Sequence, residues 1–138
     1  MEVIDRLSSA TLQSSRITNS RLKFLSAMAQ SSEDHISRLG MGLSLADGPV
    51  PLDWHPTILP SESEQTDSDA SKHIRGRTLF KEELPIWMAL ALRHQKPVDY
   101  AEWRSLFIAH WERGVESLAQ MATEEGDWLR VLNKAVPE

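Results

Sequence analysis

Apolar residues recur every three or four positions along most of this chain, with short polar or proline-rich breaks between the periodic stretches. The cleanest stripe is Tyr100, Trp103, Phe107, Trp111, Gly114, Leu118 and Met121, which predicts an amphipathic helix from Asp99 as N-cap to about Met121. Leu22, Leu25, Met28 and Ala29 predict an earlier helix from about Ser20 to Gln30. Thr18 and Asn19 are its candidate N-caps, and Ile17 stands where a hydrophobic staple would form. A second helix begins at the Ser31-Ser32 turn, where Ser31 and Asp34 have the form of a capping box. Ile36, Leu39 and Leu43 mark its buried stripe, and Gly48-Pro49 ends it. Gly40 and Gly42 weaken that helix locally, and glycines kept inside a helix often admit a close neighbour.

Thr78–Phe80 reads as a short extended stretch ahead of a third helix, Glu82 to about Gln95. Leu84, Trp87, Met88, Leu90, Ala91 and Leu92 surround most of that helix, so the pattern predicts a central element buried on most sides. A last short helix follows Thr123, with Glu124, Glu125 and Asp127 at the positive end of its dipole. Residues 1–15 have only sparse anchors, Val3, Ile4, Leu7 and Leu12, and fit a short strand, a short helix or a packed arm equally. Residues 49–70 read as one long loop, with an ordered proline-rich first half to Pro60 and a mobile polar second half, 61–70. No internal repeat or strand-turn-strand pattern stands out. The expectation is an all-α single domain over residues 1–138, a compact, self-associating bundle of about five helices with a long acidic loop. The small residues of the second helix and the aromatic face of the fourth are its candidate packing surfaces.

Composition narrows the chemistry. The chain has 138 residues and no cysteine, which excludes disulfides, thiolate metal sites and a cysteine nucleophile. The first twenty residues are polar and acid-bearing, unlike a signal or transit peptide, and no apolar run approaches the roughly 18 residues of a membrane span. A soluble, cytoplasmic protein without a membrane partner is expected. Net charge is −5, and all of the excess lies in residues 49–70, where Asp53, Glu62, Glu64, Asp67 and Asp69 meet no base. The remainder is balanced, so a basic face can form locally despite the acidic total.

Candidate catalytic chemistry is sparse. The five histidines, His35, His55, His73, His94 and His110, form no HxxxH pair and stand beside no second ligand at metal spacing, so structural roles are expected for them. There is no GxSxG elbow, and Gly76 alone makes no phosphate loop. Glu82-Glu83 and Glu124-Glu125 lie at helix starts, where the dipole favours acids. The expectation is a non-enzyme with no catalytic residue, metal or cofactor. The basic residues carry more interest. Arg16, Arg21, Lys23 and Arg38 surround the first helical pair, and Arg75 and Arg77, with Lys72, form a second cluster. Arg16 with the amides of Ser20 and Arg21 would make a phosphate seat at a helix N-terminus.

Three blocks in fixed order give these residues a context: Arg16–Leu25 leading to Arg38-Leu39-Gly40-Met41 and Gly48, then Gly76-Arg77-Thr78-Leu79, then Ala109–Leu118. Together they resemble the DndE family, the small subunit of the bacterial machinery that puts sulfur into the DNA backbone. The resemblance covers roughly residues 16–48 and 74–121. It implies a helical, non-enzymatic accessory subunit that forms homo-oligomers, with a tetramer favoured, and binds double-stranded DNA, with nicked duplex favoured. It also implies a sulfurtransferase and an SMC-like ATPase as partner subunits. On this reading Arg16, Arg21, Lys23 and Arg38 contact phosphates, with Arg75 and Arg77 secondary, and base sequence is not read. Two alternatives stand beside it. One is a protein-interaction adaptor of the same complex without DNA contact. The other is a ribbon-helix-helix-like regulator, whose residues before Thr18 would pair as a strand with those of a second subunit.

Overall fold

The computed structural model describes residues 2–62 and 70–135. Within them the chain is mostly helical, in the order α1 (Val3–Ser9), β1 (Thr11–Gln13), α2 (Arg16–Ala29), α3 (Glu33–Asp47), β2 (His73–Arg75), α4 (Gly76–Phe80), α5 (Leu84–Leu92), α6 (Tyr100–Glu125) and α7 (Trp128–Ala135). α6 is the central element. Asp99 caps it by accepting the amide of Glu102, and Gly126, in the left-handed region at φ 70°, closes it four residues beyond the expected end at Met121. Its apolar stripe supplies Trp103, Phe107, Trp111, Val115 and Leu118 to one continuous core with Leu22, Leu25, Ile36, Met41, Leu79 and Phe80. Phe107 stacks on Trp103 with ring centroids 5.7 Å apart and meets Phe80 edge-on at 4.8 Å.

α3 lies directly on α6. A Cβ placed on Gly114 would fall 1.7 Å from the Gly40 carbonyl oxygen, and one on Gly40 would fall 2.9 Å from the Val115 amide nitrogen. The two backbones therefore touch where both helices lack side chains. The small residues of the second helix and the aromatic face of the fourth are thus packing surfaces within the chain. A Cβ placed on Gly42 would meet the Trp87 ring at 3.7 Å, an ordinary contact distance, so this glycine belongs to a different surface.

Several boundaries differ from the sequence expectation, each for a local reason. α2 begins at Arg16 because Ser15, and not Thr18 or Asn19, is the cap: its hydroxyl accepts the Thr18 amide at 3.3 Å. α3 is capped by Ser32, which accepts the His35 amide at 3.1 Å, so the Ser31–Asp34 box does not form. Thr78–Phe80 is helical within α4, and the extended residues are the three before it. Those residues form β2, which pairs antiparallel with β1 in the register Thr11 to Arg75 and Gln13 to His73. The N-terminal residues thus form a helix and a strand that bonds to its own chain, in place of the intersubunit ribbon of the regulator alternative.

The largest departure is α5. It is shorter than expected and lies at the surface. Leu84 and Ala91 are buried, whereas Ile86, Leu90 and Leu92 are exposed. The first half of the long loop, residues 49–60, carries no helix or strand. Gln95 clamps it, donating to the Val50 carbonyl at 2.6 Å and accepting the Val50 amide at 2.9 Å. Of the segment expected to be mobile, residues 63–69 lie outside the described residues, while Glu62 is held in place.

Two glycine substitutions should separate contact from propensity. Gly114→Ala is expected to lose about 3 kcal/mol in urea unfolding, or to prevent folding, because the added methyl overlaps the Gly40 carbonyl. Gly42→Ala has room and should gain up to about 1 kcal/mol from helix propensity.

Candidate nucleic-acid interface

The six cations proposed for phosphate contact separate into three groups. Arg21 is buried, with its side chain 1% exposed, and each nitrogen of its guanidinium is engaged. It donates to Glu62 Oε2 at 2.9 Å and Oε1 at 2.7 Å, to Glu116 Oε1 at 3.0 Å, and to the Thr57 carbonyl. Arg21 is therefore a strut that ties the loop to α2 and α6, and it cannot reach a polyanion. Burial by itself would lower its pKa, but the hydrogen bonds and charges of Glu62 and Glu116 outweigh it and leave the value raised. Burial pushes the Glu62 carboxyl up, while Arg21 and the Leu59 amide overcome this and hold it below the ordinary carboxylate value. The acidic loop thus supplies an internal counter-charge.

Lys23 and Arg38 are partly committed. Lys23 Nζ lies 3.9 Å from Glu33 Oε2, and Lys72 approaches the same carboxylate at 3.6 Å and Asp34 at 3.7 Å. Arg38 donates to the Thr78 carbonyl at 3.0 Å and fastens α4 to α3. Arg16, Arg75 and Arg77 are exposed, and none has an ion pair among the described residues. The β1–β2 pairing carries Arg75 to the register of Thr11, on the chain segment that leads into Arg16, and Arg77 follows in α4.

The expected phosphate seat at the start of α2 is already filled. Ser20 and Arg21 lie in the second turn, where amides bond within the helix. The amide of Ser15 donates instead to Glu112 Oε1, a carboxylate from α6. The anion at this helix N-terminus belongs to the protein itself. Glu112 is 6% exposed, and burial raises its pKa despite the opposing Ser15 hydrogen bonds and the charges of Arg21 and His55.

The Ala109–Leu118 block performs similar work at the other end of α3. Arg113 Nη2 donates to the carbonyls of Ser44 and Gly48, Nη1 to that of Pro49, and Nε to Ser44 Oγ, all at 2.8 Å. One guanidinium therefore binds the carbonyls of Ser44, in the last turn of α3, and of Gly48 and Pro49 just beyond it, and places a positive charge where the helix dipole is negative. His110 Nδ1 lies 2.8 Å from the same Ser44 hydroxyl. Arg113 Nε donates into Ser44 Oγ, and the imidazole and the hydroxyl share a hydrogen bond whose direction follows the histidine tautomer. Burial first, then the charges of Arg113 and His94, lower the His110 pKa to about 4. These roles were not legible in the chain order, because each joins residues more than sixty positions apart.

Among the described residues no cluster of three or more His, Asp or Glu side chains could hold a metal. A groove of about 490 Å³ opens beside Arg21 and Glu62, lined also by Phe24, Met28, Ala119 and Ala122. Among the described residues no helix is long and apolar enough to cross a membrane. No family model, curated protein or solved structure matches the chain.

Two measurements follow from the buried charges. The unfolded chain protonates His110 near its ordinary value of 6.5, whereas the folded chain holds it neutral to about 4. Its contribution, about 3 kcal/mol by linkage, is complete above pH 6.5 and lost as pH falls towards 4. Glu112, raised in the folded state, acts in the opposite sense and favours the fold as it protonates. Chemical unfolding across this range should show the loss, and His110→Gln should flatten it. Arg21→Met should cost about 3 kcal/mol by stranding Glu62 and Glu116, whereas Arg16→Ala should fall within about 0.5 kcal/mol of the parent.

Proposed function

We propose that this chain is a self-associating, non-enzymatic accessory subunit of a DNA phosphorothioation machinery, built as a compact helical bundle that meets duplex DNA through its backbone phosphates. Its partners on this reading are a sulfurtransferase and an SMC-like ATPase. The observation that carries the DNA contact is the outward set of Arg16, Arg75 and Arg77, exposed and without ion pairs among the described residues. Lys23, shared with Glu33 across 3.9 Å, can join them once a phosphate competes for it. On an acidic chain with these few phosphate contacts, binding is modest and falls steeply with salt.

A second reading is favoured by the burial of Arg21 and the occupied N-terminus of α2. Arg21, one of the four cations expected first at phosphate, and the helix N-terminal seat both serve the fold. The chain then acts in the same complex as a protein-interaction adaptor, and DNA is held by other subunits.

Gel retardation of the purified protein on intact and nicked duplex at low salt separates the two. The first reading expects retardation of both and indifference to base sequence. Replacing Arg16, Arg75 and Arg77 together by alanine should cut affinity about tenfold or more and lower the salt slope by roughly 0.9 per lost phosphate contact. Absence of any retardation by the folded parent protein would reject DNA contact and leave the adaptor.

A further inference from the structure

We propose that α5 is a homotypic docking helix: two copies of this chain pair their α5 helices antiparallel about a two-fold axis near Met88, with the outer apolar face of each as the interface. The inference rests on the self-association proposed above and names its surface and register.

α5 has two distinct apolar faces. At 100° per residue, Leu84, Trp87, Met88 and Ala91 fall on one side, and these are the residues that turn inward or are half-covered. Pro85, Ile86, Ala89, Leu90 and Leu92 fall on the other, and all five are exposed. No residue from Leu84 to Leu92 is polar. A solvated helix face ordinarily carries charge, so a bare one of this composition marks an interaction surface.

The choice of a second copy comes from the ends of the helix. Glu82 and Glu83 precede it, and Arg93 and His94 follow it, all exposed. Glu82, Glu83 and Arg93 have no ion-pair partner among the described residues. A two-fold through Met88 sets Glu83 of one copy opposite Arg93 of the other, Glu82 opposite His94, and Ile86 opposite Leu90. Lys81 falls opposite the neutral Gln95. The same operation repeats every contact, so the interface is self-complementary and closes at two copies of this surface. Shape supports the match as well. Ile86, 61% exposed, projects from the helix. Beside Leu90, a groove of about 210 Å³ lined also by Gly42, Leu45 and Ala46 opens between α3 and α5. The proposed register delivers the Ile86 of one copy to that groove in its partner.

Sedimentation velocity of the full chain over a concentration series tests this. The parent protein should self-associate reversibly. Ile86→Asp should abolish association through this surface while leaving the circular dichroism spectrum and unfolding curve near those of the parent. Glu83→Arg and Arg93→Glu, each alone, set like charges opposite one another and should weaken association about tenfold. The double variant, or an equimolar mixture of the two single variants, should restore it. A parent protein that stays monomeric at every concentration overturns the inference and the self-association reading together. An assembly that Ile86→Asp and the charge variants leave unchanged overturns α5 as the surface, while self-association through another face stands. Loss on both single changes without recovery in the double variant overturns the antiparallel register and points to a partner of different sequence.

Discussion

The rest of the structure hangs on the contact between α3 and α6, where the backbones meet at Gly40 and Gly114 with no side chain between them. That approach brings the end of α3 within reach of the next turn of α6. Ser44 can then meet His110 and Arg113, and Arg113 can bind the carbonyls of Ser44 and Gly48 at the end of α3. On another side of the same turn, Glu112 reaches the start of α2. A helical turn covers all directions in about four residues. Five consecutive residues, His110 to Gly114, therefore serve two helix ends, the core and the closest backbone contact. This segment of α6 is an assembly device of the fold.

The same economy governs charge. The acids that make the chain acidic are not all on its surface. Glu62, Glu112 and Glu116 turn inward and bind Arg21, Thr57 and the Ser15 amide. Glu62 and Glu116, paired with a buried guanidinium, hold the loop to the body, and the desolvation of these charges is offset only because every guanidinium nitrogen has an acceptor. The surface also carries a set of cations without ion pairs among the described residues and a bare apolar helix face. Both are means of binding, and both can act at once, since Arg75 and Arg77 precede α5 in the chain while the exposed apolar residues lie within it.

α5 shows where pattern reasoning misleads. A helix apolar on all sides suggests burial on all sides, and burial in the monomer was the natural expectation. The monomer covers one face only. Periodicity reports how much of a helix avoids water, and says nothing about whether the cover comes from the same chain or from another molecule.

Spacing along the chain determined the helical class, the amphipathic α6 with its Asp99 cap, the termination of α3 at Gly48 and the importance of Gly40. These depend on neighbours within a few residues, which the order of side chains displays directly. The tertiary structure alone decided that Ser15 and Glu112 share the start of α2, that Arg21 is an internal strut and not a phosphate ligand, that β1 finds β2 some sixty residues away, and that α5 keeps an uncovered face. Each of these joins residues distant in sequence. An arginine reads the same in one dimension whether it will meet a carboxylate or solvent, and only the packing of helices chooses between them.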